Sequence, residues 1–122
     1  MLVPAQVIPF GYHKSFGRDL YMERDIDVAF LGSLRDPRRS RIIRGFEQEF
    51  ERLGIRFVVH DGSAERGLVF GEERTRLLNR SKILLSIMRQ PWDDPVFRML
   101  LAIPNGAMVV SEPVVDEIPF KP

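Results

Sequence analysis

Apolar residues follow two rhythms along this chain: short unbroken runs, and stripes that recur every three or four positions. Ile26-Asp27-Val28-Ala29-Phe30-Leu31-Gly32 is a run closed by glycine, and it predicts a buried strand. Asp36-Pro37 then supplies an N-cap followed by proline at the first helical position. Ile42, Ile43, Phe46, Phe50 and Leu53 form an amphipathic stripe, and Gly54 falls where a helix C-cap is expected. Residues 55–60 predict a second strand, closed by Asp61-Gly62. Strand, helix and strand joined by short links imply a right-handed parallel crossover.

The same alternation continues. Leu68-Val69-Phe70 predicts a third, very short strand, and residues 72–80 a helix with Leu77 and Leu78 inward. Ile83-Leu84-Leu85-Ser86-Ile87-Met88 predicts another strand. Asp94-Pro95 repeats the cap-plus-proline signal, and residues 96–103 follow as a helix with Phe97, Leu100 and Leu101 apolar. Pro104-Asn105-Gly106 ends that helix, and Ala107-Met108-Val109-Val110 is the last strand. The pattern predicts an open α/β domain with a mostly parallel sheet and helices on both faces. Residues 1–24, with Pro4, Pro9 and Gly11, read as a lead-in, and residues 25–122 as the domain. No helical stripe follows the last strand in EPVVDEIPFKP, so the sheet is expected to be incomplete at its C-terminal side.

Composition narrows the classes. Hydrophobic residues make up 44% of the 122, enough for one core. The formal net charge is +1, which argues against a general nucleic-acid binder. There is no cysteine, which excludes a disulfide framework and a Cys-based metal site. His13 and His60 are the only histidines and have no acidic ligand spacing, so neither metal nor cofactor is expected. No apolar run approaches the ~20 residues that span a bilayer. MLVPAQVIPFGYHKSF lacks the charged and apolar regions of a signal peptide. Together these features predict a cytoplasmic protein.

In open parallel sheets, ligands bind at the carboxyl ends of strands, near the point where the strand order reverses. That rule selects the loops at residues 32–39, 60–63, 88–94 and 111–116. Gly32-Ser33 follows the first strand and opens a helix, where backbone N–H groups suit phosphate. Arg35, Arg38 or Arg39 could add a two-pronged contact, or could belong to the solvated helix face that also holds Arg41 and Arg44. Arg98 is either a cation aimed at a diphosphate or an arginine paired with Asp93 or Asp94. Ser111-Glu112 could hold phosphate and ribose hydroxyls, or form a strand-end turn. Asp93 and Asp94 read as capping rather than as a metal pair. No Ser-His-Asp or Cys-His arrangement has support, so no catalytic residue is assigned.

Several of these pieces fall in one order. They are Ile8-Pro9-Phe10-Gly11-Tyr12, Asp27-Val28-Ala29-Phe30-Leu31-Gly32-Ser33-Leu34 with Arg38-Arg39, and Leu78-Asn79-Arg80-Ser81-Lys82-Ile83-Leu84-Leu85-Ser86-Ile87. Then come Arg98, Asn105-Gly106-Ala107-Met108-Val109-Val110-Ser111-Glu112-Pro113, Asp116 and Pro119-Phe120-Lys121-Pro122. In this order the chain resembles the C-terminal, donor-binding half of GT-B glycosyltransferases, in the group 1 branch that includes spore-maturation-protein-like transferases. The resemblance implies a Rossmann-like domain that grips a nucleotide-sugar donor, UDP- or GDP-linked, and passes the sugar to an acceptor bound by a preceding domain. It implies no metal, because basic side chains and helix dipoles offset the diphosphate charge. By position, Gly32, Ser33 and Arg38 would meet the phosphates, Arg98 would sit in the donor pocket, and Ser111 and Glu112 would lie beside it. Two positions depart from the family pattern. Leu101 stands where the family has an acid that holds the ribose, and Pro104 falls where its helix continues.

The chain alone is not expected to turn over substrate; an acceptor domain or partner chain would be needed. One rival expectation is a non-catalytic remnant of this fold acting through protein contacts. Another is a flavodoxin-like regulatory domain, which would want an acidic cluster after the first strand where Leu31-Gly32-Ser33 stands. An incomplete sheet would expose edge and apolar surface and favour self-association.

Overall fold

The computed structural model describes residues 4, 6 and 11–113. Four strands, β1 (Ile26–Leu31), β2 (Phe57–His60), β3 (Ser81–Ser86) and β4 (Met108–Ser111), form one all-parallel open sheet in the order β2-β1-β3-β4. Helix α1 (Pro37–Leu53) joins β1 to β2, α2 (Gly71–Arg80) precedes β3, and α3 (Val96–Ala102) lies between β3 and β4. This is a Rossmann-like arrangement with helices on both faces. The helix α1 packs Ile43, Phe46 and Phe50 on the side of Val28, Phe30 and Leu85. Leu77 and Leu78 of α2 and Leu101 and Ala102 of α3 pack on the opposite side with Ala29 and Leu84. The central strands are therefore buried on both faces, which is why they read as unbroken apolar runs.

The local signals explain most boundaries. Asp36 caps α1 by accepting from the Arg39 N–H at 2.9 Å, with Pro37 at the first helical position. Gly54 ends α1 in the left-handed region at φ 70°, a conformation that strains other residues. Leu53, the last member of the predicted stripe, is half exposed.

Three expectations are corrected. Leu68-Val69-Phe70 is not a strand: only Val69 is buried, and no backbone ladder joins the segment to the sheet. Its inside–outside alternation matches a strand, but a strand needs a neighbour with a free edge. The strand predicted from Ile83 begins at Ser81, because Ile26 pairs with Ser81 across β1 and β3. Helix α3 starts at Val96 as expected, but its cap is Pro95 rather than Asp94, whose Oδ1 accepts from the Val96 N–H at 2.9 Å, and the helix ends at Ala102, one residue early.

The described part of the lead-in is stitched to the sheet's α2/α3 side. Asn79 and Asn105 are fully buried and hydrogen-bonded to each other at 3.1 Å. Asn79 accepts from the Leu20 N–H and donates to Arg18 O, while Asn105 donates to Phe16 O. Arg24 donates to Leu78 O, Ser81 O and Asn105 O at 2.7–3.0 Å. Residues 16–24 thus complete the polar side of this core. The motif residues 8–10, 116 and 119–122 lie outside the described residues.

Candidate functional site

The chain leaves β1 towards β2 and leaves β3 towards β4, so the two connections part at the carboxyl ends of β1 and β3. A crevice of about 460 Å³ opens there. Gly32 and Ser33 with Arg39 of α1 form one wall; Arg89, Asp93, Asp94 and Arg98 form the other.

Two arginines dominate it. Arg39 is only 5% exposed. The guanidinium carbons of Arg39 and Arg98 each lie 5.8 Å from the centroid of the Phe30 ring, so one aromatic side chain supports both cations. Arg39 Nη1 donates to Ser33 O at 3.2 Å, but the buried Nε atoms of Arg39 and Arg98 have no hydrogen-bond partner. Among the described residues, no ion pair includes either arginine. Burial, then the like charges of Arg39 and Arg89, push the Arg98 pKa down to about 10, against the pull of Asp93. Burial and then Arg89 lower Arg39 in the same way, opposed by Asp36, Asp93 and Glu112. Both groups remain cationic near neutral pH. An entering anion would therefore meet one buried and one half-buried guanidinium group and relieve their mutual repulsion.

Gly32 makes this approach feasible. A Cβ there would lie 2.9 Å from Arg98 Nη2, 3.2 Å from Phe30 Cζ and 3.4 Å from Arg39 Nη1. The closest of these atoms ends a long side chain that can swing away. Gly32→Ala should therefore leave the fold nearly unchanged while re-aiming Arg98. The expected result is a thermal midpoint close to wild type with anion affinity reduced about tenfold, as for one lost charge-assisted contact. A variant that keeps full affinity would detach Gly32 from the site.

Arg38, one position from Arg39, turns to a different task. It pairs with Glu112 through both Nη atoms and donates to Met88 O at 2.9 Å. Glu112 also accepts from the Met88 N–H at 2.9 Å. This closed ring ties α1, the end of β4 and the loop that carries Arg89 and Asp93. Arg38 and Glu112 are thus engaged with each other, and they position the crevice wall. Burial acts to raise the Glu112 pKa, but the hydrogen bonds from Arg38 and Met88, with the charges of Arg38 and Arg39, hold it below the ordinary 4.5. A depressed carboxylate adds stability above its unfolded value and loses it as pH falls through the folded one. Wild type should therefore lose stability more steeply below pH 4.5 than Glu112→Gln. Urea unfolding at several acidic pH values reads the difference; parallel curves would mean that the ring carries no charge-dependent stability.

The other sequence-selected residues fall around this centre. Ser33 Oγ accepts from the Arg35 N–H at 3.2 Å, and both residues line a neighbouring polar hollow with Asp61 and Ser63. Ser111 Oγ donates to Glu112 O at 2.9 Å. Asp93 Oδ2 accepts from the Gln90 N–H at 3.1 Å, and its carboxylate stands 4.0 Å from Arg89 Nε. Lys82 lies at the other end of its strand and pairs with Asp27 at 2.7 Å. Arg89 and Asp61 were not singled out from sequence, and only the strand-end rule pointed at their loops. Among the described residues, no three His, Cys, Asp or Glu side chains gather as a metal site requires, and no helix is long and apolar enough to cross a membrane.

Comparison with protein-family models, with curated proteins and with solved structures finds no match to this chain. The glycosyltransferase resemblance rests on the sequence motifs alone.

Proposed function

We propose that this domain binds a phosphorylated ligand in the crevice between Gly32-Ser33 and Arg98, and that the ligand is the nucleotide-sugar donor of a glycosyltransferase. The observation that carries the phosphate reading is the Arg39–Arg98 pair: one buried and one half-buried cation on one phenylalanine, neither of them in an ion pair among the described residues. The motif order supports the narrower reading as a donor domain. In that reading Arg39 and Arg98 clamp the diphosphate, the Gly32-Ser33 backbone approaches it closely, and Arg38 with Glu112 holds the wall. Catalysis would require an acceptor-binding domain from elsewhere in a longer or two-part enzyme.

A thermal-shift titration with UDP, GDP and their sugar conjugates tests this. A ligand that binds only the folded state, at 100 times its dissociation constant, stabilises by about 2.7 kcal/mol. We expect one nucleotide class to raise the midpoint and Arg98→Ala to abolish the rise. No rise with any nucleotide would overturn the donor reading.

Leu101 favours a second reading, a non-catalytic domain of this fold that works through protein contacts. Leu101 is buried in the core, so it cannot serve the ribose as an acid would. Met108 and Val110 of β4 are exposed on the sheet face that α1 covers further along. Self-association through that face would appear as a concentration-dependent sedimentation coefficient; a strict monomer would count against it.

A further inference from the structure

A second cavity, of about 260 Å³, adjoins the cationic crevice and shares Gly32 and Arg98 with it. Its character is different. Val69, Leu84 and Leu101, all buried, form its floor, and the partly exposed Leu68 and Phe97 stand at its mouth. Arg74 also lines it, and the buried Nε of Arg74 has no hydrogen-bond partner. His60 contributes a ring whose Nδ1 lies 2.7 Å from Arg66 O, so Nδ1 carries the proton donated to that carbonyl. Among the described residues, no carboxylate lines the cavity. A sugar ring placed here would bury hydroxyl groups against leucine and valine, which is unfavourable without partners. A cavity of roughly 150 Å³ with such walls already accepts benzene. A flat guanidinium such as that of Arg74 is suited to an aromatic face.

We infer that this cavity takes an aromatic ring joined to the anion held by Arg98 and Arg39, so that the ligand class is an aryl-bearing phosphate and the group on this side of the phosphate is not a polyol. The inference rests on the phosphate reading of the crevice and departs from the nucleotide-sugar reading, in which a ribose or a sugar adjoins the diphosphate on each side. Arg98 lines both cavities, and an arginine has both a charged head for the anion and an aliphatic stem that suits an apolar wall. Leu101 then has a positive role as the cavity floor. The hollow lined by Ser33, Arg35, Asp61 and Ser63 shares Ser33 with the crevice and offers hydrogen-bond partners to hydroxyl groups.

The test is a set of titrations of the isotope-labelled chain followed by two-dimensional amide NMR. The probes are inorganic phosphate, phenyl phosphate and ribose 5-phosphate, with wild type, Arg98→Ala, Leu68→Ser and Phe97→Ser. Phosphate is expected to shift the Gly32 and Ser33 amides, and phenyl phosphate to shift those of Leu68 and Val69 as well. Phenyl phosphate should bind about tenfold more tightly than the other two, as for a partly buried ring. Leu68→Ser and Phe97→Ser should each erode that preference while leaving phosphate binding intact, and Arg98→Ala should weaken all three. Equal affinity for ribose 5-phosphate and phenyl phosphate would overturn the inference, as would a phenyl preference that survives both mouth variants. Both results would leave the phosphate reading standing. Failure of all three probes to move Gly32 or Ser33 would overturn the phosphate reading and the inference together.

Discussion

Arg39→Met should produce a domain that is more stable and no longer binds phosphate. The side chain is 5% exposed, lies on Phe30 and has a buried Nε without a partner. Methionine has a similar length, makes favourable contacts with aromatic rings and has no charge to desolvate. It loses the Nη1 contact to Ser33 O, which leaves one carbonyl to find water. Replacing buried charged groups by apolar ones of similar size is often neutral or stabilising by about 1–4 kcal/mol. We expect a gain at the low end of that range, read as a higher urea midpoint, together with a loss of anion affinity of at least about tenfold. The combination matters, because a cation kept for packing would show the opposite stability change. A destabilised variant that still bound phosphate would assign Arg39 to the core and not to the crevice.

Asn105→Ala should be the most damaging single change at a position far from the crevice. Asn105 is fully buried, and its amide donates to Phe16 O and Leu101 O at 2.9 and 2.7 Å. Its Oδ1 accepts from Asn79 Nδ2. Alanine removes both donors and leaves two carbonyls without them in a space closed to water. Each unsatisfied buried group costs about 1–3 kcal/mol, so a total loss of roughly 2–4 kcal/mol is expected. The lead-in should detach before the sheet melts, so hydrogen exchange at the Leu20 amide, which is bound to Asn79 Oδ1, should rise more than exchange in β1. Unchanged stability, or equal exchange gains in both places, would mean that the two asparagines do not fasten this segment.

The fold was largely legible because each signal was local. Asp36-Pro37 and Gly54 mark the ends of α1, and unbroken apolar runs mark strands covered on both faces. Leu68-Val69-Phe70 misled for a physical reason: alternation records which side of a segment is buried, not whether a ladder partner exists. The crevice was legible in outline, since the strand-end rule needs only strand order and loop position. Its chemistry was not. Arg38 and Arg39 are adjacent in sequence, but successive helical residues point about 100° apart, the angle implied by 3.6 residues per turn. Only the rotation of α1 about its axis decides that Arg38 turns to Glu112 while Arg39 turns to Phe30. The Asn79–Asn105 bond joins positions 26 residues apart, and no local pattern announces such a pair.

The most direct test of a phosphate-binding crevice is calorimetric titration of inorganic pyrophosphate into wild type, Arg98→Ala and Arg52→Ala. Arg52 pairs with Glu49 on the exposed face of α1 and serves as the control for loss of a positive charge. The account predicts one binding site in wild type, weakened by rising salt, lost in Arg98→Ala and intact in Arg52→Ala. Equal affinity in all three proteins, or no binding to wild type, would contradict it.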